Sequence, residues 1–263
     1  MKKILITLSI IALALCSANA QKSSSWKSQK LLIGSATQTE SAAKLGKKGT
    51  LSFGGSLNRV DQDYIDGNIG GGAYIDLQMA AFKSANKNFG IDVSIPVKFD
   101  YMSADDKTDT TSLRYSRTDI PVQLLPYFRY AFSKNFVVSP FLFAGAGASI
   151  NHVKLDGVGS RNETAFMYKF GGGVEFLVYK GLALTPKFTY TKLSDVDDYS
   201  KVVGRDNGTL LFETTKEFAV EAAIQLVRGW AFTVEYAYQF DNEGFFADDV
   251  NGHFVRAGFR FGF

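Results

Sequence analysis

Between residues 230 and 240 every second side chain is large and apolar or aromatic. Trp230, Phe232, Val234, Tyr236, Tyr238 and Phe240 fall on one side, and Ala231, Thr233, Glu235, Ala237 and Gln239 on the other. A period of two belongs to a β-strand and cannot be carried by a helix, whose side chains repeat every 3.6 residues. The split recurs at 89–101, where Ile91, Val93, Ile95, Val97 and Phe99 oppose Asp92, Ser94, Pro96, Lys98 and Asp100. It recurs at 217–226, with Phe218, Val220, Ala222, Ile224 and Leu226 opposite Glu217, Ala219, Glu221, Ala223 and Gln225. Composition agrees, because 23 Phe, 12 Tyr and 25 Gly against 5 Pro and 1 Cys favour aromatic-rich β structure over a helical bundle.

Read at this period, the chain gives ten strands, starting near Thr50, Ile69, Phe89, Thr118, Phe136, Ala165, Leu182, Phe212, Trp230 and Phe254. No segment after the N-terminus has the run of about 18 apolar residues that a membrane helix needs. The connections alternate, short at 83–88, 133–135, 180–181 and 228–229, long at 59–67, 103–116, 153–163, 195–208 and 241–251. An even strand count with tight turns at one end and longer loops at the other is the pattern of a membrane β-barrel. Asp66-Gly67, Asp156-Gly157, Asn207-Gly208 and Asn251-Gly252 place turn chemistry in the long connections. The rival is a soluble periplasmic β-protein with its apolar face inside, and strand length separates the two. About eleven residues is roughly twice a usual globular strand, and about ten rises of 3.4 Å at a tilt of roughly 40° climb ~26 Å, the height of an outer-membrane apolar band. So many bulky groups turned inward would also overfill a small barrel. The expected fold is all-β, a ten-stranded antiparallel up-and-down transmembrane β-barrel over residues 49–263.

The first twenty residues are of another kind. Lys2 and Lys3 precede an apolar run from Ile4 to Leu15, and Ala18-Asn19-Ala20 supplies small residues for cleavage, the layout of a secretory signal peptide. Cleavage there removes Cys16, so the mature chain from Gln21 offers no thiol for a disulfide, a metal or a nucleophile. Residues 21–48 are rich in Ser and Lys without alternation and read as a flexible periplasmic segment. A short helix at 40–45 that plugs the lumen is the alternative for part of it.

Charge is spread rather than concentrated. Twenty-nine bases against 26 acids give a net charge of +3 with no basic stripe, which argues against nucleic acid. Acids crowd the long connections. Asp61, Asp63, Asp66, Asp195, Asp197, Asp198, Asp248 and Asp249 are the candidates for loose cation binding, joined by Asp105, Asp106, Asp109, Asp156, Asp206, Asp241, Glu163 and Glu243. No specific metal site is expected, since Asp61, Asp63 and Asp66-Gly67 miss the spacing of a calcium loop. The short turns carry Lys83, Lys87, Lys134, Lys180 and Arg228, flanked by Phe89, Phe132, Phe136, Tyr179 and Trp230 like an interfacial aromatic girdle. Short turns in the periplasm and acidic loops outside follow, with divalent ions bridging the loops to anionic lipopolysaccharide.

These features together resemble the small outer-membrane β-barrel proteins of the porin-like, OmpA-type group of Gram-negative bacteria. The resemblance rests on the leader, the strand pattern, Phe170-Gly171-Gly172-Gly173-Val174-Glu175-Phe176 before a tight turn, and the ending Phe259-Arg260-Phe261-Gly262-Phe263. It implies an outer-membrane location, lipid and lipopolysaccharide as surroundings, and Phe263 as the terminal aromatic read by the outer-membrane assembly machinery.

Catalysis has little to draw on. His152 and His253 are the only histidines, and at spacing two they neighbour Ile150 and Lys154, and Asn251 and Val255, so neither forms a local Ser-His pair. Gly70-Gly71-Gly72 and Gly145-Ala146-Gly147 lie within strands with no helix following, which removes the context of a phosphate loop. No cofactor is expected. The polar strand faces carry Asp76, Asp92, Asp100, Glu175, Glu217, Glu221 and Glu235 against Lys98, Arg129, Lys169, Lys187, Arg256 and Arg260. A three-residue turn at Val227-Arg228-Gly229 makes Glu221 and Glu235 direct neighbours across strands, where like charges repel. Arg256 and Arg260 on the next strand answer them, so Glu221, Glu235, Arg256, Arg260, Glu175 and Lys187 form the expected lumen charge network. The sequence thus favours a non-enzymatic envelope barrel with acidic surface loops. A narrow diffusion channel is the first alternative, and a lipid-modifying or proteolytic outer-membrane enzyme the second. Deletion of Phe263 is expected to lower the amount of inserted barrel more than the stability of barrels already folded, measured by heat-modifiability of membrane fractions beside unfolding of the purified protein.

Overall fold

The structure, a computed structural model, describes residues 49–61, 65–67, 69–84, 88–106, 112–133, 136–157, 159–179, 181–194, 214–227, 229–242 and 250–263. The predicted leader at 1–20, the segment 21–48 and much of the predicted loops lie outside these residues. Ten long strands account for most of what is described. They are β1 (Gly49–Asp61), β2 (Ile69–Lys83), β3 (Phe89–Asp106), β4 (Ser112–Phe128), β5 (Val137–Leu155), β6 (Gly159–Tyr179), β7 (Leu182–Ser194), β8 (Thr214–Val227), β9 (Trp230–Asn242) and β10 (Val250–Gly262). Each pairs antiparallel with the next, and β10 pairs with β1, so the sheet closes on itself. The seam is sealed at its end by reciprocal bonds, Gly49 N–H to the Phe263 carbonyl at 3.1 Å and Phe263 N–H to the Gly49 carbonyl at 3.0 Å. Two short extended pieces, Ile65–Gly67 and Tyr130–Ala131, add to β3 and β5.

Alternation sorts the side chains as the sequence pattern requires. Leu57, Val122, Leu124, Leu142, Phe170 and Phe218 point outward and are exposed, while Thr50, Asp92, Asn151, Thr191, Glu235 and Gln239 point inward and are buried. A water-soluble barrel would show the reverse. At the end carrying the short turns, outward aromatics touch in pairs, Phe89 with Phe128 at 4.9 Å and Trp230 with Phe261 at 4.9 Å between ring centroids. Gly181 (φ 111°) and Gly229 (φ 87°) occupy the tightest turns there, in the left-handed region that glycine enters without strain.

Strand ends depart from the sequence expectation. β4 begins at Ser112 rather than near Thr118, β6 at Gly159 rather than Ala165, and β10 at Val250 rather than Phe254. The expected long connection at 153–163 is instead a tight turn, with β5 and β6 paired out to Leu155 opposite Gly159. Asp105, Asp106, Asp156 and Glu163 therefore belong to strands and a turn, not to long loops. The cause is the membrane edge. Outward residues on β6 are apolar from Phe166 to Val178, about twelve rises that climb ~31 Å at a tilt of roughly 40°. Above that band the outward residues become His152, Lys154, Asn162 and Thr164, so hydrophobic alternation stops while backbone pairing continues.

The interior is filled by setting aromatics against glycines. Phe141 and Phe143 stand opposite Gly173 and Gly171, Tyr127 opposite Gly90, and Tyr74 opposite Gly54. A Cβ at Gly171 would lie 2.6 Å from the Phe143 ring and 2.1 Å from the Phe188 carbonyl, and one at Gly90 would lie 2.4 Å from the Tyr127 ring. The Gly-rich run at 170–173 is thus a recess for lumen rings. Gly171→Ala is expected to destabilise the barrel by about 1–3 kcal/mol, measured by denaturant unfolding in detergent. Adding Phe143→Ala should leave much of that loss in place, since the Phe188 carbonyl still blocks the new methyl.

Candidate functional site

The site that the fold builds is the lumen. Register places Glu221 opposite Glu235 and Glu235 opposite Arg256, so three charged residues of β8, β9 and β10 form one inward row. The turn that sets this register differs from expectation in detail. Val227 pairs with Trp230, leaving two residues between, and a bulge between Gln225 and Val227 restores the register that a three-residue turn would give.

Arg256 is the hub. Its Nη1 donates to Glu217 Oε1 at 3.1 Å and to Glu235 Oε1, and its Nη2 donates to Glu217 Oε2 at 2.8 Å. Gln239 Nε2 also donates to Glu217 Oε2, at 2.9 Å, and Lys187 pairs with Glu235 from the other side. Arg260 Nη2 donates to both oxygens of Glu221 at 2.8 and 3.0 Å, and its Nε donates to Ser52 Oγ at 3.3 Å. The two facing glutamates are therefore drawn apart, Glu221 towards Arg260 and Glu235 towards Arg256 and Lys187. The ring of Phe254 carries Lys98 Nζ at 4.9 Å and Arg256 Cζ at 5.4 Å from its centroid, a cation–π contact from each. Lys98 in turn pairs with Asp100 at 2.7 Å.

A second network, on β4 and β5, is absent from the sequence expectation. Arg117 Nε donates to Asp119 Oδ1 at 2.6 Å, and Ser149 Oγ donates to the same oxygen at 2.6 Å. Beside it the Tyr115 hydroxyl donates to Asn151 Oδ1 at 2.7 Å. Placing the fourth strand near Thr118 left this pair at its edge. The signal that reveals it is parity, since Tyr115, Arg117, Asp119 and Gln123 share one face of β4.

Of the six expected network residues, Glu221, Glu235, Arg256, Arg260 and Lys187 come together. Glu175 feels the charges of Arg260 and Glu221 without a direct bond to either. It faces inward opposite Ser139 on β5, makes no ion pair, and has a buried Oε1 without a hydrogen-bond partner. Between these groups lies a cavity of about 250 Å³ lined by Asp76, Lys98, Lys169, Glu175, Glu217 and Arg260 among others.

The outer rim gives less. Asp156 lies 3.5 Å from both Arg114 and Lys154. The side chains of Asp61, Asp63, Asp66, Asp195, Asp197, Asp198, Asp248 and Asp249 lie outside the described residues, and among the described residues no group of three acids or histidines can hold a metal. The histidines sit on β5 and β10. The His253 ring bonds the Tyr236 hydroxyl at 2.8 Å. His152 Nδ1 bonds Asn162 Oδ1, and register sets Ser116 on its other flank, although no Ser–His hydrogen bond forms.

Comparison with known proteins bears on the whole architecture. No curated protein matches the sequence. Among solved structures, the transport unit of the autotransporter AIDA-I from Escherichia coli is 10% identical with a TM-score of 0.53, the match covering 82% of this chain and 90% of that one. The attachment invasion locus protein Ail of Yersinia pestis is 16% identical over 82% of this chain and 99% of its own, TM-score 0.38. An outer membrane channel from Pseudomonas putida F1 is 9% identical over 82% and 96%, TM-score 0.39. At such identities the likeness concerns the fold alone. The sequence itself matches the family described as outer membrane protein beta-barrel domain over residues 8–209, more than half of the chain. The protein therefore belongs to the outer membrane β-barrel family.

Proposed function

We propose that this protein is a non-enzymatic barrel of the Gram-negative outer membrane, its lumen closed by paired charges, serving the envelope structurally and presenting acidic loops at the surface. The observation that carries the reading is the hub of Arg256 with Glu217 and Glu235, side chains only 7–11% exposed inside a ring of ten strands. Charges buried so deeply are costly unless paired, and once paired they fill the cross-section that a permeating ion would need. On this reading a leader cleaved after Ala20 delivers the chain to the periplasm, and Phe263 presents it to the assembly machinery. The basic turns stay inside, and the acidic loops meet lipopolysaccharide.

Planar-bilayer recording tests the closed lumen. Wild-type protein is expected to conduct poorly. Arg256→Ala with Arg260→Ala leaves Glu217, Glu221 and Glu235 without their arginines, so stability should fall by several kcal/mol, since breaking a buried pair costs about 3–5 kcal/mol. A cation-preferring leak should appear with it. Steady wild-type conductance, with the double variant equally stable, would instead make the protein a narrow diffusion channel.

One arrangement favours the enzymatic alternative. Ser116, His152 and Asn162 form an outward row across β4, β5 and β6, just above the apolar band, with the imidazole oriented by the amide. A nucleophile needs its base within hydrogen-bond reach, and that contact is missing. A fluorophosphonate probe is expected to leave Ser116 unlabelled in membranes. Labelling that Ser116→Ala abolishes would transfer the function to a surface hydrolase.

A further inference from the structure

The lipid-facing side of a membrane barrel tolerates charge poorly, and a base set against hydrocarbon costs more the deeper it lies. Among the described side chains, the outward face of the ten strands nevertheless carries five charged groups, and all five are bases. They are Arg59 on β1, Arg114 on β4, Lys154 on β5, Lys192 on β7 and Lys216 on β8, each towards the end away from Gly49 and Phe263. Counter-charge is shared unevenly among them. Arg114 and Lys154 both lie 3.5 Å from Asp156, and Arg59 and Lys216 have contacts of their own within the protein. Lys192 is exposed and makes no ion pair among the described residues.

Two of these bases are neighbours. Register pairs Lys192 with Thr214 and Lys216 with Tyr190, so the two lysines stand on one diagonal across β7 and β8, about 7–8 Å apart. Like charges so placed repel, and an anion between them removes the repulsion. The pair sits at the aromatic edge of the apolar band rather than clear of it. Lys192 is opposite Tyr168, which lies between Phe166 and Phe170 on β6, and Lys216 has Phe240 on its far flank. Ser194 Oγ donates to the Tyr168 hydroxyl at 3.5 Å, which leaves the phenol proton to be given elsewhere. Deeper in the membrane the same face is wholly apolar, with Phe170, Phe188 and Phe218 between 40% and 51% exposed.

A ligand that suits this face has a compact anion at the level of the lysines and apolar chains that descend over the phenylalanines. A phosphorylated lipid has both. Its phosphate oxygens can accept from two ammonium groups and a phenol together, and such charge-assisted bonds are strong where water is scarce. A phosphate monoester carries about −1.5 to −2 at neutral pH, which matches two lysines better than the single charge of a phosphodiester. The lysine stems lie along the neighbouring aromatic rings while their ammonium groups reach the headgroup layer.

We propose that the outward face of β6, β7 and β8 binds a lipid phosphate monoester, of the kind that the lipid anchor of lipopolysaccharide carries, through Lys192, Lys216 and the Tyr168 hydroxyl. The site rests on the reading of this end of the barrel as external. It differs from bridging of acidic loops by divalent ions, because it needs no metal.

The test is native mass spectrometry of the refolded full-length barrel in detergent micelles, with EDTA throughout. The probes are lipid A, enzymatically dephosphorylated lipid A, phosphatidylglycerol and inorganic phosphate. One lipid A per barrel is expected, bound about tenfold more tightly than either other lipid, with inorganic phosphate neither bound nor competing at equal concentration. Lys192→Gln should weaken binding about fivefold, Lys192→Gln with Lys216→Gln should abolish the preference for phosphate, and Lys192→Arg should retain it. Tyr168→Phe should cost a few-fold, and Lys154→Gln, on the β5–β6 hairpin, nothing. Equal binding of lipid A and its dephosphorylated form overturns the proposal, as does unchanged binding in the folded double variant. If the double variant fails to fold, unchanged binding in Lys192→Gln overturns it equally. Phosphatidylglycerol bound as tightly as lipid A overturns the monoester, and competition by inorganic phosphate overturns the lipid. A tag after Asp197 that stays hidden on intact cells overturns the external reading alone, since binding in micelles does not depend on orientation.

Discussion

A sheet placed in hydrocarbon must leave no backbone group unpaired, and pairing β10 back onto β1 is what allows every other feature of this protein to exist. Closure removes both edges at once. It also sets the size of the interior, because ten strands enclose a space scarcely wider than the side chains that line it. From that follow the two rules of the lumen, that volume must be matched to volume and charge to charge. The pairs Phe141–Gly173, Phe143–Gly171 and Tyr127–Gly90 obey the first. Arg256 between Glu217 and Glu235 obeys the second.

The pairing is not a simple gain in stability. A buried ion pair loses in desolvation much of what it recovers in attraction, and an apolar replacement of equal shape is often no less stable. What the charges do provide is a wall whose parts depend on one another. Arg256 joins β10 to β8 and β9, Lys187 ties β7 to β9, and Arg260 reaches from β10 to β8 and to Ser52 on β1. Five of the ten strands are thereby linked through side chains as well as backbone. Slippage of one strand by a single residue would turn its inward charges into the lipid.

How much of this was legible in the sequence depended on what the lipid enforces. Inside the apolar band each outward position must be apolar, so β3, β8 and β9 could be read by parity, and the Glu221–Glu235 pairing read from a three-residue turn is reached instead by a two-residue turn with a bulge. Beyond the band nothing enforces alternation, and the β5–β6 hairpin, which continues to Leu155 and Gly159, was invisible for that reason. The same edge hid Arg117 and Asp119. Glu175 is a different case. Parity placed it in the lumen, but parity carries no information about which side chains bond across a closed ring, and Arg260, whose charge acts on Glu175, gives its hydrogen bonds to Glu221.

The lumen has two walls. The β7 to β10 wall holds its glutamates in ion pairs with Arg256, Arg260 and Lys187, whereas Asp92 on β3 and Glu175 on β6, towards the short turns, make no ion pair among the described residues. Arg256, Arg260 and Lys187 are each bonded to a glutamate of the first wall. Releasing any one of them to serve Glu175 would strip a buried carboxylate elsewhere. The balance of the barrel is therefore local rather than global. Loss of Arg256 would strip Glu217 and Glu235 of their arginine and leave the Arg117–Asp119 pair of β4 untouched.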